Sequence, residues 1–411
     1  MDWFRPVWQG QGLDRSSGVF VMRVLMSAPS GLGHVNPLVP LVIAFLDRGD
    51  DVVLATAEPS YGRVRALGIQ ATEIGLAAPD AHALALERFP ELRDLPGSQV
   101  ATQMFPRLFG AVCAESSLAG LLEVAREFRP HVMVHDAADF AAPIVAAAIG
   151  VPNVCQGFGF AVPPERVQQA ADRAAHLWVG LGLEAPPFGG CFDHLYIDPY
   201  PPSLQPGGLD HIGRIVRRAP EAATAHPDET LPEALAADLA DPDVTFVHVT
   251  FGTVYNRSPD VAETVRGAAR LDAVLLVTTG PGGDVTTFGD LGPRAHVHTY
   301  VSQALVLPRA TVVASHAGSG TLLGALAHGV PQLCVPQAAD QFRNASAVSS
   351  AGAGRQLIDC VDADTVEQEL RFLMTDPTTR TCASALAEEI RSMPTSAHVA
   401  DVIAELAAET I

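Results

Sequence analysis

The feature that most constrains the fold of this chain is a repeated alternation of short apolar runs with helix-like segments. The alternation begins at Met22, pauses after residue 156, and restarts at Val244. The strand-like runs lie at 23–28, 51–56, 132–135, 151–156, 244–252, 274–278, 295–299, 311–315 and 332–335. Apolar runs that alternate with helical segments predict parallel strands joined by crossover helices. The chain therefore predicts two domains of the same architecture.

A proline- and glycine-rich passage at 199–208 and a polar stretch at 217–233 separate the two halves. We predict an α/β fold in which two Rossmann-like, doubly wound parallel-sheet domains face each other across a cleft. In such sheets, ligands bind beyond the carboxyl ends of the strands. The predicted divisions are a disordered leader (1–21), an N-terminal domain (22–215), a linker (216–240), a C-terminal domain (241–395) and a helix (396–411) that packs back on the N-terminal domain.

Composition excludes several classes of protein. The chain contains no lysine, which excludes P-loop kinases and ATPases, pyridoxal enzymes and S-x-x-K acylases. A formal net charge of −20 disfavours a nucleic-acid partner. The six cysteines have no metal-ligand spacing, and several lie in apolar runs, which indicates free thiols in the cytoplasm. The apolar runs are too short for a membrane span, and the leader lacks a signal-peptide pattern.

A glycine-rich turn in the second half predicts an anion site. The segment Ala314–Thr321 (ASHAGSGT) joins the strand at 311–315 to a helix that we expect to begin at Thr321. Bare N–H groups at the start of a helix attract anions, most often phosphate. At the next strand-to-helix turn, Asp340 and Gln341 offer polar groups that suit hydroxyls. Diphosphate beside hydroxyl-binding groups indicates a nucleotide sugar.

The first strand ends in the loop PSGLGHVNP, which contains His34. We expect the next helix to begin at Pro37, with His34 just before it at the ligand-facing rim. The helix dipole disfavours imidazolium there, which predicts a neutral ring able to accept a proton. A surface histidine without a chemical role is the alternative. A dinucleotide fingerprint starting at Gly31 fits less well, because Asn36 occupies the place of its third glycine.

Asp136 closes the strand VMVHD at the same rim. Its carboxylate could accept the second N–H of His34, fix the tautomer and stabilise the ring after it takes a proton. Alternatively, Asp136 caps a helix that starts near Ala138, and the two roles are compatible.

The motifs GHVNP, HAGSGT and PQAADQ together resemble those of the nucleotide-sugar glycosyltransferases of the GT-B fold, family 1. The resemblance covers nearly the whole chain from Met22 and is strongest to bacterial enzymes that glycosylate polyketide, macrolide and enediyne antibiotics. It implies that the first domain binds the acceptor and the second binds the nucleotide sugar. It also implies that His34 is the general base and Asp136 its partner.

The resemblance implies a set of donor-binding residues in the second domain. Two turns approach the diphosphate, one segment holds the nucleoside, and the Asp-Gln pair holds the sugar hydroxyls. These residues are Thr253, Tyr300, Val301, Gln303, His316, Gly318, Ser319, Gly320, Thr321, Asp340 and Gln341. Family members that use UDP-sugars often have a glutamate at the position of Gly324, which grips the ribose hydroxyls. Its absence here favours a dTDP-deoxysugar donor.

The implied reaction is an inverting, metal-independent transfer of a sugar to a hydrophobic natural-product aglycone. Apolar residues of the first domain are candidates for the acceptor pocket, with ordinary core packing as the alternative. The candidates are Phe105, Phe158 and Phe160. We expect no cofactor beyond the dTDP-sugar co-substrate, and a homodimer remains open. The competing interpretations are a non-catalytic nucleotide-binding auxiliary protein, a UDP-sugar-dependent enzyme and an NAD-linked oxidoreductase.

Overall fold

The computed structural model describes residues 21–95, 97–205, 207–220, 229–252, 258–280, 283–338, 340–358 and 361–409. Residues 1–20 of the predicted leader and the predicted donor residue Thr253 lie outside these ranges.

The first domain is built on a sheet in which all described strands are parallel. The strands are β1 (Arg23–Ser27), β2 (Asp51–Thr56), β3 (Ala71–Glu73), β4 (Val132–Asp136), β5 (Asn153–Gln156), β6 (Leu195–Asp198) and β7 (Ile215–Arg217). They are ordered β3-β2-β1-β4-β5-β6-β7. The direction of winding changes between β1 and β4, and their carboxyl ends are the expected place for a ligand.

Helices cover both faces of this sheet. They are α1 (Leu32–Val35), α2 (Val39–Asp47), α3 (Ser60–Ala66), α4 (Ala78–Arg88), α5 (Gly97–Phe105), α6 (Ala114–Phe128), α7 (Ala142–Ile149) and α8 (Pro164–Gly180). A π-helical stretch joins α5 to α6 at Pro106–Cys113, and 3₁₀ turns lie at Pro90–Asp94 and Pro187–Gly190. In the π-helical stretch Gly110 packs so closely on α8 that a Cβ would lie 2.3 Å from the carbonyl oxygen of Ala170.

The second domain repeats the architecture with a second parallel sheet. Its strands are β8 (Phe246–Thr250), β9 (Val274–Thr278), β10 (Ala295–His298), β11 (Val312–Ser315), β12 (Gln332–Cys334) and β13 (Gly354–Gln356), ordered β10-β9-β8-β11-β12-β13. Helix α9 (Glu233–Asp238) precedes β8. The other helices of this domain are α10 (Pro259–Ala268), α11 (Gln303–Val306), α12 (Ser319–Ala327), α13 (Gln341–Ser350), α14 (Ala363–Thr375) and α15 (Pro377–Ser392), and a 3₁₀ turn lies at Leu307–Arg309. The predicted fold class is confirmed.

A last helix, α16 (Ser396–Ala408), returns to the first domain. Val399 and Ile403 lie on one face of this helix, and both are buried in the core that contains Val24 and Leu38 of the first domain. Burial of this apolar stripe holds α16 against the sheet of the first domain.

One helical run among the described residues, Thr102–Phe128, is long and apolar enough to span a membrane by length and composition alone. It crosses from α5 through the π-helical stretch into α6. Leu121, Leu122 and Ala125 from this run are buried in the core of the first domain. A core helix of a globular protein can be as long and as apolar as a membrane-spanning helix, so length and composition alone do not identify this run as a membrane span.

Candidate active site

Loops at the carboxyl ends of the two sheets contact each other. Gly159, three residues after β5, lies against the start of α12 and the turn before α13. A Cβ added to Gly159 would lie 2.4 Å from Ser319 Oγ and 3.1 Å from Asp340 Oδ2. The loop after β5 in the first domain is therefore in direct contact with the predicted donor loops of the second.

His34 and Asp136 form a hydrogen-bonded pair at the rim of the first sheet. Nδ1 of His34 lies 2.9 Å from Oδ1 of Asp136, whose side chain is fully buried. A carboxylate can only accept, so Nδ1 carries the proton and Nε2 is the basic nitrogen. Among the described residues, Nε2 has no hydrogen-bonding partner, and 19% of the His34 side chain is exposed. The pair therefore leaves the lone pair on Nε2 uncommitted.

The environment of His34 differs from the sequence prediction in one respect. His34 lies in the last turn of the short helix α1, and α2 begins only at Val39, so Pro37 does not start a helix. The predicted effect of a helix N-terminus on the imidazole is therefore wrong. Burial lowers the pKa of His34, but the charge and hydrogen bond of Asp136, helped by the charge of Asp340, raise it above its ordinary value of 6.5.

Asp136 also holds the turn that follows β4. Its Oδ1 accepts the backbone N–H of Ala138 at 2.8 Å. The helix of this region starts at Ala142 rather than near Ala138, and Asp139 accepts the N–H groups of Ala141 and Ala142 at its start. The predicted helix-capping role thus belongs to Asp139. Oδ2 of Asp136 is buried without a hydrogen-bond partner in the described part of the chain.

Aromatic rings surround the imidazole of His34. Phe158 and Phe109 contact it edge-on, with ring centroids 4.7 and 5.2 Å away. Phe105 packs on Phe109 at 5.1 Å. Phe105 and Phe158 are among the residues predicted for the acceptor site. Phe109 is not among them, although it lies four residues after Phe105 and so on the same side of the helical run. Phe160, the third residue predicted for the acceptor site, contacts Tyr200 with ring centroids 4.4 Å apart and the rings tilted by 40°.

The predicted anion loop begins where β11 ends. Helix α12 starts at Ser319, two residues earlier than predicted, with Gly318 as its N-cap. Ala317, not a glycine, adopts the left-handed conformation that makes the turn, with φ of 61°. Since α12 is nine residues long, its first N–H groups form a regular helix N-terminus that suits an anion.

His316 is held beside this helix start by two glycines. A Cβ on Gly318 would lie 2.4 Å from His316 Nε2, and one on Gly252 would lie 2.7 Å from its Cε1. Burial lowers the pKa of His316 to about 4, against the opposing charge of Asp340 and the carbonyl of Thr250. The ring is therefore neutral at pH 7, with a single N–H and no positive charge. Nδ1 of His316 is buried with no hydrogen-bond partner among the described residues.

Asp340 and Gln341 occupy the turn after β12. Oδ2 of Asp340 accepts the hydroxyl of Ser319 at 2.8 Å and the amide of Asn344 at 3.0 Å. Oε1 of Gln341 accepts the backbone N–H groups of Gln337 and Ala338, both at 2.8 Å. Gln341 therefore uses its carbonyl oxygen to shape the loop, whereas Asp340 faces the first domain.

The predicted nucleoside segment lies beside α12. Tyr300 is 54% exposed, and the Arg63 guanidinium of the first domain lies 6.0 Å from its ring centroid. Nε2 of Gln303 donates to Oγ1 of Thr321 at 2.8 Å. Val301 is buried in the core, so its side chain does not line the site.

Two buried polar residues at the site were missed by the sequence analysis. Asn344 lies one helical turn after Asp340, and that spacing could have indicated it. Tyr200 follows β6 in the first domain and bonds to Asn344, but no sequence motif marks it.

Comparison with known proteins gives consistent matches. Models described as the N- and C-terminal domains of erythromycin biosynthesis protein CIII-like proteins match residues 85–212 and 262–406. The chain is 32% identical over 406 residues to the elloramycin glycosyltransferase ElmGT of Streptomyces olivaceus, which covers 92% of this chain and 96% of that protein.

Two solved structures are similar over nearly their whole length. The glycosyltransferase SnogD from Streptomyces nogalater is 26% identical, with a TM-score of 0.73 and coverage of 94% of this chain and 100% of that one. The glycosyltransferase VinC, solved in complex with dTDP, has a TM-score of 0.76, 22% identity and the same coverage, and supports the fold.

Proposed function

The chain belongs to the erythromycin biosynthesis protein CIII-like family of GT-B antibiotic glycosyltransferases, and from this we propose that it transfers a deoxysugar from a dTDP-sugar to a hydrophobic natural-product aglycone. The observation that carries the proposal is that His34 and the loops of Ser319 and Asp340 approach the same short segment between the domains. Phe158 contacts the His34 ring at 4.7 Å, and a Cβ on the next residue, Gly159, would lie 2.4 Å from Ser319 Oγ and 3.1 Å from Asp340 Oδ2.

The proposed step is a direct displacement with inversion. An acceptor hydroxyl gives its proton to Nε2 of His34 while its oxygen bonds to the anomeric carbon. The bond from that carbon to the diphosphate oxygen breaks, and its electron pair leaves with dTDP. Asp136 stabilises the imidazolium, and the start of α12 and the neutral N–H of His316 stabilise the diphosphate without a metal.

The proposed preference for dTDP rests on Gly324. This residue lies inside α12, and a Cβ there would lie 2.9 Å from Cδ1 of the buried Leu307. A glutamate at this position would therefore have to displace Leu307 before it could reach a ribose. A site without an acid at this position suits a deoxyribose, which has no 2′-hydroxyl to bind. VinC, a structural neighbour, was solved with dTDP.

We predict that dTDP raises the melting temperature of the protein more than UDP does at equal concentration. A ligand that binds only the folded state stabilises it by RT ln(1 + [L]/Kd), so at equal concentration the nucleotide that binds more tightly gives the larger shift. Differential scanning fluorimetry over a concentration series of each nucleotide measures the difference. A larger shift with UDP would overturn the proposed donor and favour the UDP-sugar alternative. An NAD-dependent shift would favour the oxidoreductase.

The Gly318→Ala substitution is expected to weaken dTDP binding about 10-fold, the usual order for a lost hydrogen bond to a charged group. The new methyl group would lie 2.4 Å from His316 Nε2 and would push the ring from the diphosphate site. Titration calorimetry with dTDP measures the loss. Gly180→Ala is the matched control, because a Cβ there has no neighbour within 4 Å. Unchanged affinity in Gly318→Ala would exclude His316 from the diphosphate contact.

The proposed acceptor pocket is the aromatic surface beside His34. Phe158 and Phe109 contact the imidazole, so an aglycone that reaches Nε2 must pass along their rings.

The proposed compartment is the cytoplasm. The free thiols of Cys113, Cys155 and Cys191 agree with this proposal, because thiols stay reduced there.

A further inference from the structure

A buried tyrosine of the first domain is bonded to the donor side of the second. Tyr200 follows β6 and is fully buried. Its hydroxyl donates to Oδ1 of Asn344 on α13 at 2.8 Å and lies 3.3 Å from Oγ of Ser319 at the start of α12. This contact joins the two domains directly behind the predicted diphosphate loop.

Asn344 in turn holds the shape of that loop. Its Nδ2 donates to the carbonyl oxygen of Ala317 at 2.8 Å and approaches Ser319 Oγ at 3.1 Å. Ala317 has a φ of 61°, a conformation that a residue with a Cβ adopts only when its surroundings enforce it. The amide of Asn344 is one restraint on this turn, and Ser315 Oγ, which accepts the N–H of Ala317 at 3.1 Å, is another. The hydroxyl of Tyr200 binds the oxygen end of the Asn344 amide, whose nitrogen also donates to Asp340 at 3.0 Å.

We infer that Tyr200 is a positioning residue that holds the diphosphate loop in its binding conformation through Asn344. The inference rests on the proposed function, because it takes the loop of Ala317 and Ser319 as the diphosphate site. When the bond is lost, the loop populates other conformations, and the nucleotide binds only the fraction of molecules in which the loop is formed. The docking of the two domains thereby sets donor affinity.

The ring and the hydroxyl of Tyr200 have separate roles. The ring packs against Phe160 and lies in a core that includes Leu322 and Leu326 of α12. Tyr200→Phe retains that packing and leaves Oδ1 of Asn344 without its donor. The substitution therefore tests the hydrogen bond and not the filling of the core.

Tyr200→Phe is expected to weaken dTDP binding about 5- to 30-fold, the range for loss of a buried hydrogen bond. The KM for the donor should rise, while the KM for the acceptor and the acid limb of the pH profile, which belongs to His34, stay unchanged. The control is Glu389→Gln. This substitution alters a hydrogen-bonded contact with Ser203 that also joins the two domains but does not involve the loop of Ala317 and Ser319. Glu389→Gln should bind dTDP like the wild type.

A double-mutant cycle with Asn344→Ala tests whether Tyr200 affects dTDP binding through Asn344. If Tyr200 acts through Asn344, adding Tyr200→Phe to Asn344→Ala causes no further loss of dTDP affinity. Independent, additive losses would overturn the inference, as would a Tyr200→Phe variant that melts earlier but binds dTDP normally. Wild-type protein that binds neither dTDP nor UDP would instead overturn the proposed function, and the inference with it.

Discussion

Replacing His34 with alanine should slow sugar transfer by about 10²- to 10⁴-fold, the usual contribution of a general base. Nδ1 is committed to Asp136 at 2.9 Å, so Nε2 is the basic atom available to the acceptor. His34 lies in the first domain, which we propose binds the acceptor and not the nucleotide. The affinity for dTDP should therefore remain within about twofold of the wild type, the size of effect that a surface substitution usually has. The measurements are kcat with a dTDP-sugar and an accepted aglycone, and the dissociation constant of dTDP.

His176→Ala is the matched control for this substitution. His176 is exposed on α8, and its Nδ1 bonds to the carbonyl oxygen of Arg173 in the same helix. Its loss should leave kcat unchanged. Imidazole added to the His34→Ala enzyme should restore part of the rate, because it can enter the space left at the rim. Full activity in His34→Ala would remove His34 as the base. Nucleotide binding without any turnover in the wild type would favour the auxiliary-protein interpretation.

The pairing of His34 with Asp136 could be predicted because it depends on local order and on topology alone. His34 follows β1 and Asp136 is the last residue of β4, and these two strands are neighbours that end at the same edge of a doubly wound sheet. The same argument placed Ser319 and Asp340 at the facing rim, after β11 and β12. Strand ends are fixed by the alternating pattern, so the residues that follow them are fixed as well.

The conformations of the connecting loops could not be predicted in this way. Pro37 favoured a helix start, yet a separate helical turn at Leu32–Val35 places His34 at a helix end. The predicted lowering of the His34 pKa by a helix N-terminus is therefore wrong, because, despite burial, the charge and hydrogen bond of Asp136 raise that pKa. Likewise, glycines suggested the position of the tight turn at 316–318, but Ala317 makes it. Tertiary contacts, here the amide of Asn344, override local preference.

The contacts between the two domains could not be predicted from the sequence. Tyr200 and Asn344 are 144 residues apart, and their contact depends on how the two domains dock. Periodicity describes each sheet separately and contains no information about docking. The same reason applies to Phe160, a predicted acceptor residue, whose ring lies 4.4 Å from that of Tyr200 and 5.0 Å from the guanidinium of Arg343.

The Asp136→Asn substitution should lower the plateau rate by roughly 10- to 100-fold and move the acid limb of the pH profile to lower pH. The plateau falls because the imidazolium formed in the transition state loses a charge-assisted hydrogen bond, which contributes about 1.5–3 kcal/mol. Asparagine should preserve the tautomer, because Oδ1 remains oriented by the N–H of Ala138 at 2.8 Å and can still accept Nδ1–H. The substitution thus removes the charge and keeps the geometry.

The direction of the pH shift follows from the influences on His34. Only the neutral ring can accept a proton, so kcat/KM falls as the pH drops below the pKa of His34 in the free enzyme. Burial lowers that pKa, and Asp136 and Asp340 raise it above 6.5, so the wild-type limb lies above pH 6.5. Without the Asp136 charge, burial acts against Asp340 alone and the limb moves down. Asp136→Ala, which also removes the acceptor for Nδ1–H, should lose more rate than Asp136→Asn. An acid limb that stays in place in both variants would mean that a group other than His34 takes the proton.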